Sequence, residues 1–184
     1  LRLFHDYGPE IKNAVTTEIW QGSSKGPGLL KILIAALRDE DPRVRLGGLV
    51  ALRARKYAIG KDALISALSD QSPYVRCAVI EVLADFEQER LMKYVTGRLK
   101  DEDSSVRSCA AKTLGERKDL RFVGLLVEAL GSEQDKGVQA ELIKALAQTT
   151  GYELSVEEWG RWWDQNSERF EDIGPGQVST RKQG

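Results

Sequence analysis

The sequence predicts an all-α protein built as an α-solenoid, and three observations carry that prediction. First, one pattern recurs at a 31-residue spacing: Ala36-Leu37-Arg38-Asp39-Glu40-Asp41-Pro42-Arg43-Val44-Arg45, then Ala67-Leu68-Ser69-Asp70-Gln71-Ser72-Pro73-Tyr74-Val75-Arg76, then Arg98-Leu99-Lys100-Asp101-Glu102-Asp103-Ser104-Ser105-Val106-Arg107. Second, each block is followed by a run closing on Leu52, Leu83 or Leu114 whose apolar residues fall at helical spacing. Third, the joints between helices carry helix-start chemistry. Self-similarity at such a period marks stacked helix pairs that bury their oily faces on one another.

The elements follow in order. Gly8-Pro9-Glu10-Ile11-Lys12 matches Asp41-Pro42-Arg43-Val44-Arg45, with Val15 and Ile19 continuing the stripe, so residues 1–20 read as an earlier repeat whose first helix is cut short. Gly22-Ser23-Ser24-Lys25-Gly26-Pro27-Gly28 reads as a flexible connector. First helices are expected around Leu30, Leu33, Ala36 and Leu37; Leu64, Ala67 and Leu68; Met92, Val95 and Leu99; Val123, Leu126, Ala129 and Leu130. Second helices are expected around Val44, Gly47, Gly48, Ala51 and Leu52; Val75, Ala78, Val79, Val82 and Leu83; Val106, Cys109, Ala110, Thr113 and Leu114. A fourth copy, Val138, Leu142, Ala145 and Leu146, arrives one residue late.

Asp41-Pro42 and Ser72-Pro73 place an oxygen side chain at the N-cap and proline at the first helical position, where its missing N–H costs nothing. Ser104 is the corresponding cap expected in the third copy, and Gly60 and Gly115 are read as ends of units. After Gly151 the pattern changes. Ser155-Val156-Glu157-Glu158 is a capping box, and Trp159, Trp162, Trp163 and Phe170 then fall on one side of a helix. The expected organisation is a repeat array over 1–151, a tryptophan-rich capping helix over 152–172 and a disordered tail over 173–184.

Bulk properties narrow the function. The 184 residues suffice for one domain with a continuous core. A net charge of −1 removes the simplest electrostatic case for nucleic-acid or membrane-surface binding. Residues 152–172 carry −5 and residues 1–151 carry +2, an asymmetry that a solvated outer face explains. No run approaches the roughly 18 apolar residues of a membrane helix. The chain begins at Leu1, which reads as a processed product or a fragment. Cys77 and Cys109 sit in equivalent helices of successive repeats, about 8–10 Å apart against a limit near 7 Å for a disulfide. Two reduced thiols are therefore expected, which mildly favours a reducing, cytoplasmic compartment.

With Ala-Leu-x-Asp-x-x-Pro-x-Val-Arg recurring in register, the chain resembles HEAT-repeat proteins, most closely the short-repeat subclass that includes phycobilisome lyases. The resemblance covers about residues 1–150. It implies a right-handed α-solenoid of about four and a half helix pairs, armadillo-like, whose second helices line a concave surface. It also implies a scaffold that binds protein, although some members attach bilins, hydroxylate with a di-iron centre or excise alkylated DNA bases. In such proteins the residues equivalent to Asp39, Asp70 and Asp101 and to Arg45, Arg76 and Arg107 form a ladder between stacked units. Ser132 and Gln139 stand at the fourth positions, so the ladder is expected to stop there.

The candidate binding surface is the side of the second helices opposite the core stripe. Leu46, Leu49, Val50 and Arg53 lie there, with Cys77, Ile80, Glu81 and Ala84 next, then Lys112, then Ile143 and Lys144. Apolar residues facing away from their own core point to a hydrophobic groove for a peptide or helix, unless the helix over 9–20 or the curvature of the stack covers them. Trp159, Trp162, Trp163 and Phe170 are expected to cap the last repeat, the alternative being a docking handle. The acid groups Asp39/Glu40/Asp41 and Asp101/Glu102/Asp103 are read as caps before they are read as a metal site, and Arg53/Arg55/Lys56 as complementing a helix end.

Catalysis is not expected. His5 is the only histidine, so neither a His–Glu metal set nor a Ser–His–Asp arrangement can be assembled. No metal and no cofactor is expected. The expected partner is another protein or peptide on the concave face. Chromophore handling is the alternative, nucleic acid is less favoured, and membrane insertion is not expected.

Overall fold

The computed structural model describes residues 33–54, 61–86 and 89–171. The shortened first repeat with His5, the connector 22–28, Arg55, Lys56, Gly60, Asp172 and the tail 173–184 lie outside the described residues.

Among the described residues every regular element is helical. Residues 33–36 make a helical turn. Then come α1 (Pro42–Ala54), α2 (Lys61–Ala67), α3 (Pro73–Ala84) and α4 (Glu89–Gly97), followed by a 3-10 turn at Arg98–Lys100. After α5 (Ser104–Arg117) and a 3-10 turn at Leu120–Phe122 come α6 (Val123–Ser132), α7 (Lys136–Thr150), α8 (Val156–Asn166) and the short α9 (Glu168–Glu171). The chain divides into two compact units, Leu1–Tyr94 and Val95–Gly184.

In the first unit α3 packs against both α1 and α2. Leu37, Leu52, Leu64, Leu68, Val75, Val79 and Leu83 are buried, as their spacing predicts. Val44 departs from its stripe at 38% exposed, whereas Val75 and Val106 are fully covered. The Asp41 carboxylate accepts from Arg43 N at 2.8 Å, capping α1. Ser72 does not cap α3 through its side chain. It donates its own N–H to Asp70 Oδ1 at 2.8 Å instead, so the expected cap is replaced by a turn within the loop.

In the second unit α5 and α7 lie side by side, and α6 packs on α7. Asp103, not Ser104, caps α5 by accepting from Ser105 N, and Asp135 caps α7 by accepting from Gly137 N and Val138 N. Gly115 does not end a unit. It lies inside α5 where α7 comes closest, and a Cβ there would stand 2.6 Å from Ala145 Cα. The α7 helix ends at Gly151, whose φ of 81° is the left-handed value a C-terminal cap uses.

The α5–α7 contact therefore depends on a missing side chain at position 115. Gly115→Ala should cost about 1–3 kcal/mol, because neither backbone can yield without shifting a helix. Urea denaturation at neutral pH checks this, and a change under about 0.5 kcal/mol would contradict it.

Candidate partner-binding face and the clamp beneath it

The loops between paired helices are built the same way each time. A carboxylate at the loop start folds over to accept a backbone N–H two residues on. Asp39 accepts from Asp41 N at 2.9 Å, Asp70 from Ser72 N at 2.8 Å and Asp101 from Asp103 N at 3.1 Å. Glu133 accepts from Asp135 N at 2.9 Å and from Gln134 N as well.

An arginine from the following helix then grips the loop's carbonyls. Arg45 Nη1 donates to the carbonyls of Asp39 and Glu40 at 2.8 and 2.9 Å. Arg76 Nη1 donates to Asp70 O at 2.7 Å, and Arg107 Nη1 to the carbonyls of Asp101 and Glu102 at 2.9 and 3.1 Å. The other edge of the guanidinium reaches the next loop. Arg45 Nε and Nη2 donate to the two oxygens of Asp70 at 2.7 Å each. Arg107 Nε and Nη2 donate to Glu133 at 2.7 and 3.0 Å. One planar fork thus ties two loops, which a point-charge lysine cannot do.

The fourth loop corrects an expectation. The carboxylate row does not stop at Ser132; it continues at Glu133, and Gln139 Nε2 donates to Glu133 O at 2.7 Å in place of an arginine. What ends at the fourth loop is the guanidinium. The signal was in the sequence: the fourth copy runs one residue late, and applying that delay to Asp101 lands on Glu133 rather than Ser132.

The inner face is corrected more severely. Leu49 and Ile80 are 0% exposed and Leu46 is 6% exposed, so they are core residues and offer no hydrophobic groove. The physical reason is that a second helix is covered on two sides, by a first helix and by neighbouring second helices, so its buried arc is wider than a single stripe. Of the remaining predicted face, Val50, Cys77, Glu81, Ala84 and Ile143 are half-buried, while Arg53, Lys112 and Lys144 are exposed. Several of the charged members are paired with close neighbours. Arg53 Nε donates to Asp85 at 2.5 Å and its Nη1 lies 3.3 Å from Glu81, which raises the arginine's affinity for its proton, Asp85 first. Lys144 lies 3.2 Å from Glu141. Neither Cys77 nor Cys109 is a free thiol. That overturns the expectation of two reduced cysteines, which set a spacing between helix axes against a limit on Cα separation, two different quantities.

The tryptophans divide. Trp159 is fully buried, whereas Trp162, Trp163 and Phe170 are half-buried. The α8 helix packs on α6, where a Cβ on Gly124 would stand 2.7 Å from the Trp163 ring. The capping box at Ser155 and Glu158 is formed in both directions. Trp159 Nε1 is buried without a hydrogen-bond partner, a cost of about 1–3 kcal/mol that the burial of the indole offsets.

These features define a helical-repeat protein whose successive loops are clamped by arginine. A family model described as HEAT repeats matches residues 61–147, a span that contains the loops of Asp70, Asp101 and Glu133. HEAT repeats commonly mediate protein–protein interaction. No curated protein matches the chain. Among the described residues no helix is long and apolar enough to cross a membrane.

The Arg107 guanidinium holds the Glu133 carboxyl below the usual glutamate range, and burial opposes it only in part. A carboxyl depressed in the folded state stabilises fully above its unfolded pKa, near 4.3, and that contribution is lost as pH falls through the folded value. Glu133→Gln should therefore be less stable than the parent by about 2 kcal/mol at pH 7, with the gap closing below about pH 4. Paired urea titrations from pH 3 to pH 7 read this out, and a gap independent of pH would contradict it.

Proposed function

We propose that this chain is a non-catalytic scaffold that binds a partner protein or peptide through the exposed parts of its second helices. What supports the reading is the HEAT-repeat match over residues 61–147 together with the polar face those helices leave open. In the second unit α5 and α7 lie side by side, with Lys112 and Lys144 exposed and Ile143 half-buried. In the first unit Arg53, Glu81 and Asp85 supply the polar groups. With Leu46, Leu49 and Ile80 in the core, recognition is by charge and shape and not by insertion of an oily helix into a trough. The 31-residue period supports placing the repeat in the short-repeat subclass.

The test uses capture from the native source, quantified by mass spectrometry, with the parent and a Lys112→Glu/Lys144→Glu variant. Exposed charge changes of this kind alter stability by about 0.5 kcal/mol or less, so the variant should stay folded. The proposal predicts at least a roughly tenfold loss of the proteins enriched by the parent, the scale of two reversed charges at an interface. Equal enrichment by both would remove the second-unit face from consideration.

A further inference from the structure

The capping segment also presents an aromatic surface that its structural role does not use up. Trp162 is the hub: its ring lies 5.6 Å from Tyr152, 5.3 Å from Trp159 and 5.7 Å from Phe170, centroid to centroid. Phe170 in turn lies 5.5 Å from Trp163. Trp159 and Trp163 are turned to the body of the unit, the first fully buried and the second against Gly124. Tyr152 is 44% exposed, and Trp162 and Phe170 keep part of their rings in solvent. Sealing the last repeat does not itself require Tyr152, Trp162 and Phe170 to meet as tilted rings that stay partly exposed.

The segment that carries those rings is acidic on balance. Between residues 152 and 171 there are six carboxylates, two arginines and no lysine. Glu153, which follows Tyr152 in the chain, and Glu168, at the start of α9, are both exposed. One of the arginines, Arg169, is turned to Asn166, donating to its Oδ1 at 3.2 Å. Aromatic faces carry negative potential and attract a cation within about 6 Å of the ring centre, arginine more often than lysine. Carboxylates beside them strengthen that preference and disfavour an acidic partner.

We infer that the Tyr152–Trp162–Phe170 cluster, set among these carboxylates, is a docking site for an arginine side chain of a partner peptide. The guanidinium stacks on the exposed ring faces while Glu153 and Glu168 provide the countercharge. This site is separate from the second-helix face and stands or falls without it.

The test is calorimetric titration of the full chain with an N-acetylated, C-amidated peptide of glycine, serine and three arginines. The control is the same peptide with glutamine for arginine. Trp162→Ala risks loosening the cap, so the variants are Tyr152→Ala and Glu153→Lys, both at exposed positions. The inference expects saturable binding of the arginine peptide, at least about fivefold weaker in each variant and unchanged in Lys112→Glu/Lys144→Glu. Absence of binding, equal binding of the glutamine peptide, or equal affinity in all variants overturns it. So does self-association of the parent that Tyr152→Ala abolishes without any peptide binding, which would assign the face to a second copy of the chain.

Discussion

Each interhelix loop in a stack of helix pairs has carbonyls that no helix can satisfy, and it lies where two successive units must keep register. The arginine of the second helix answers both demands with one planar group. Its Nη1 closes the loop of its own pair, and its opposite edge closes on the next loop's carboxylate, as Arg45 does with Asp70 and Arg107 with Glu133. Such a fork has one geometry in which all its donors are met, so it specifies register as well as contributing energy. An apolar pair of the same volume would be about as stabilising, yet it would not choose between neighbouring registers.

Close spacing has a consequence for what the protein can hold. Because α1 packs against α3 and α5 against α7, the larger residues between them are enclosed, and Gly115 of α5 comes up against the Ala145 backbone of α7. Leu49 and Ile80 belong to that enclosed layer. The stack thereby uses for cohesion the apolar area that a greasy binding groove would need. The exposed members of that face are the charged Arg53, Lys112 and Lys144, and part of that charge is already engaged in pairs such as Arg53 with Asp85.

Local chemistry was more legible than neighbourhood. The helix runs, the capping box at Ser155 and the burial of Val75, Val106 and Val138 follow from spacing within a single helix. The loop carboxylates were legible where the period was strict and misplaced where it slipped, since Glu133 stands one position later than counting by 31 predicts. The inner face was misread for a different reason. A helical wheel describes one helix against one neighbour, and a second helix in this array has several. Gly115 shows the same gap: in sequence it resembles a stop, but its meaning comes from Ala145, thirty residues away.

Register between successive loops depends on the guanidinium and the next loop's carboxylate acting as one unit. A double-mutant cycle on Arg45→Gln and Asp70→Asn, measured by urea unfolding at neutral pH, tests this directly. It should give a coupling of about 1–3 kcal/mol, with the double variant far less destabilised than the sum of the singles. Additive single effects would mean that the two groups merely sit side by side, and that something else holds successive repeats in register.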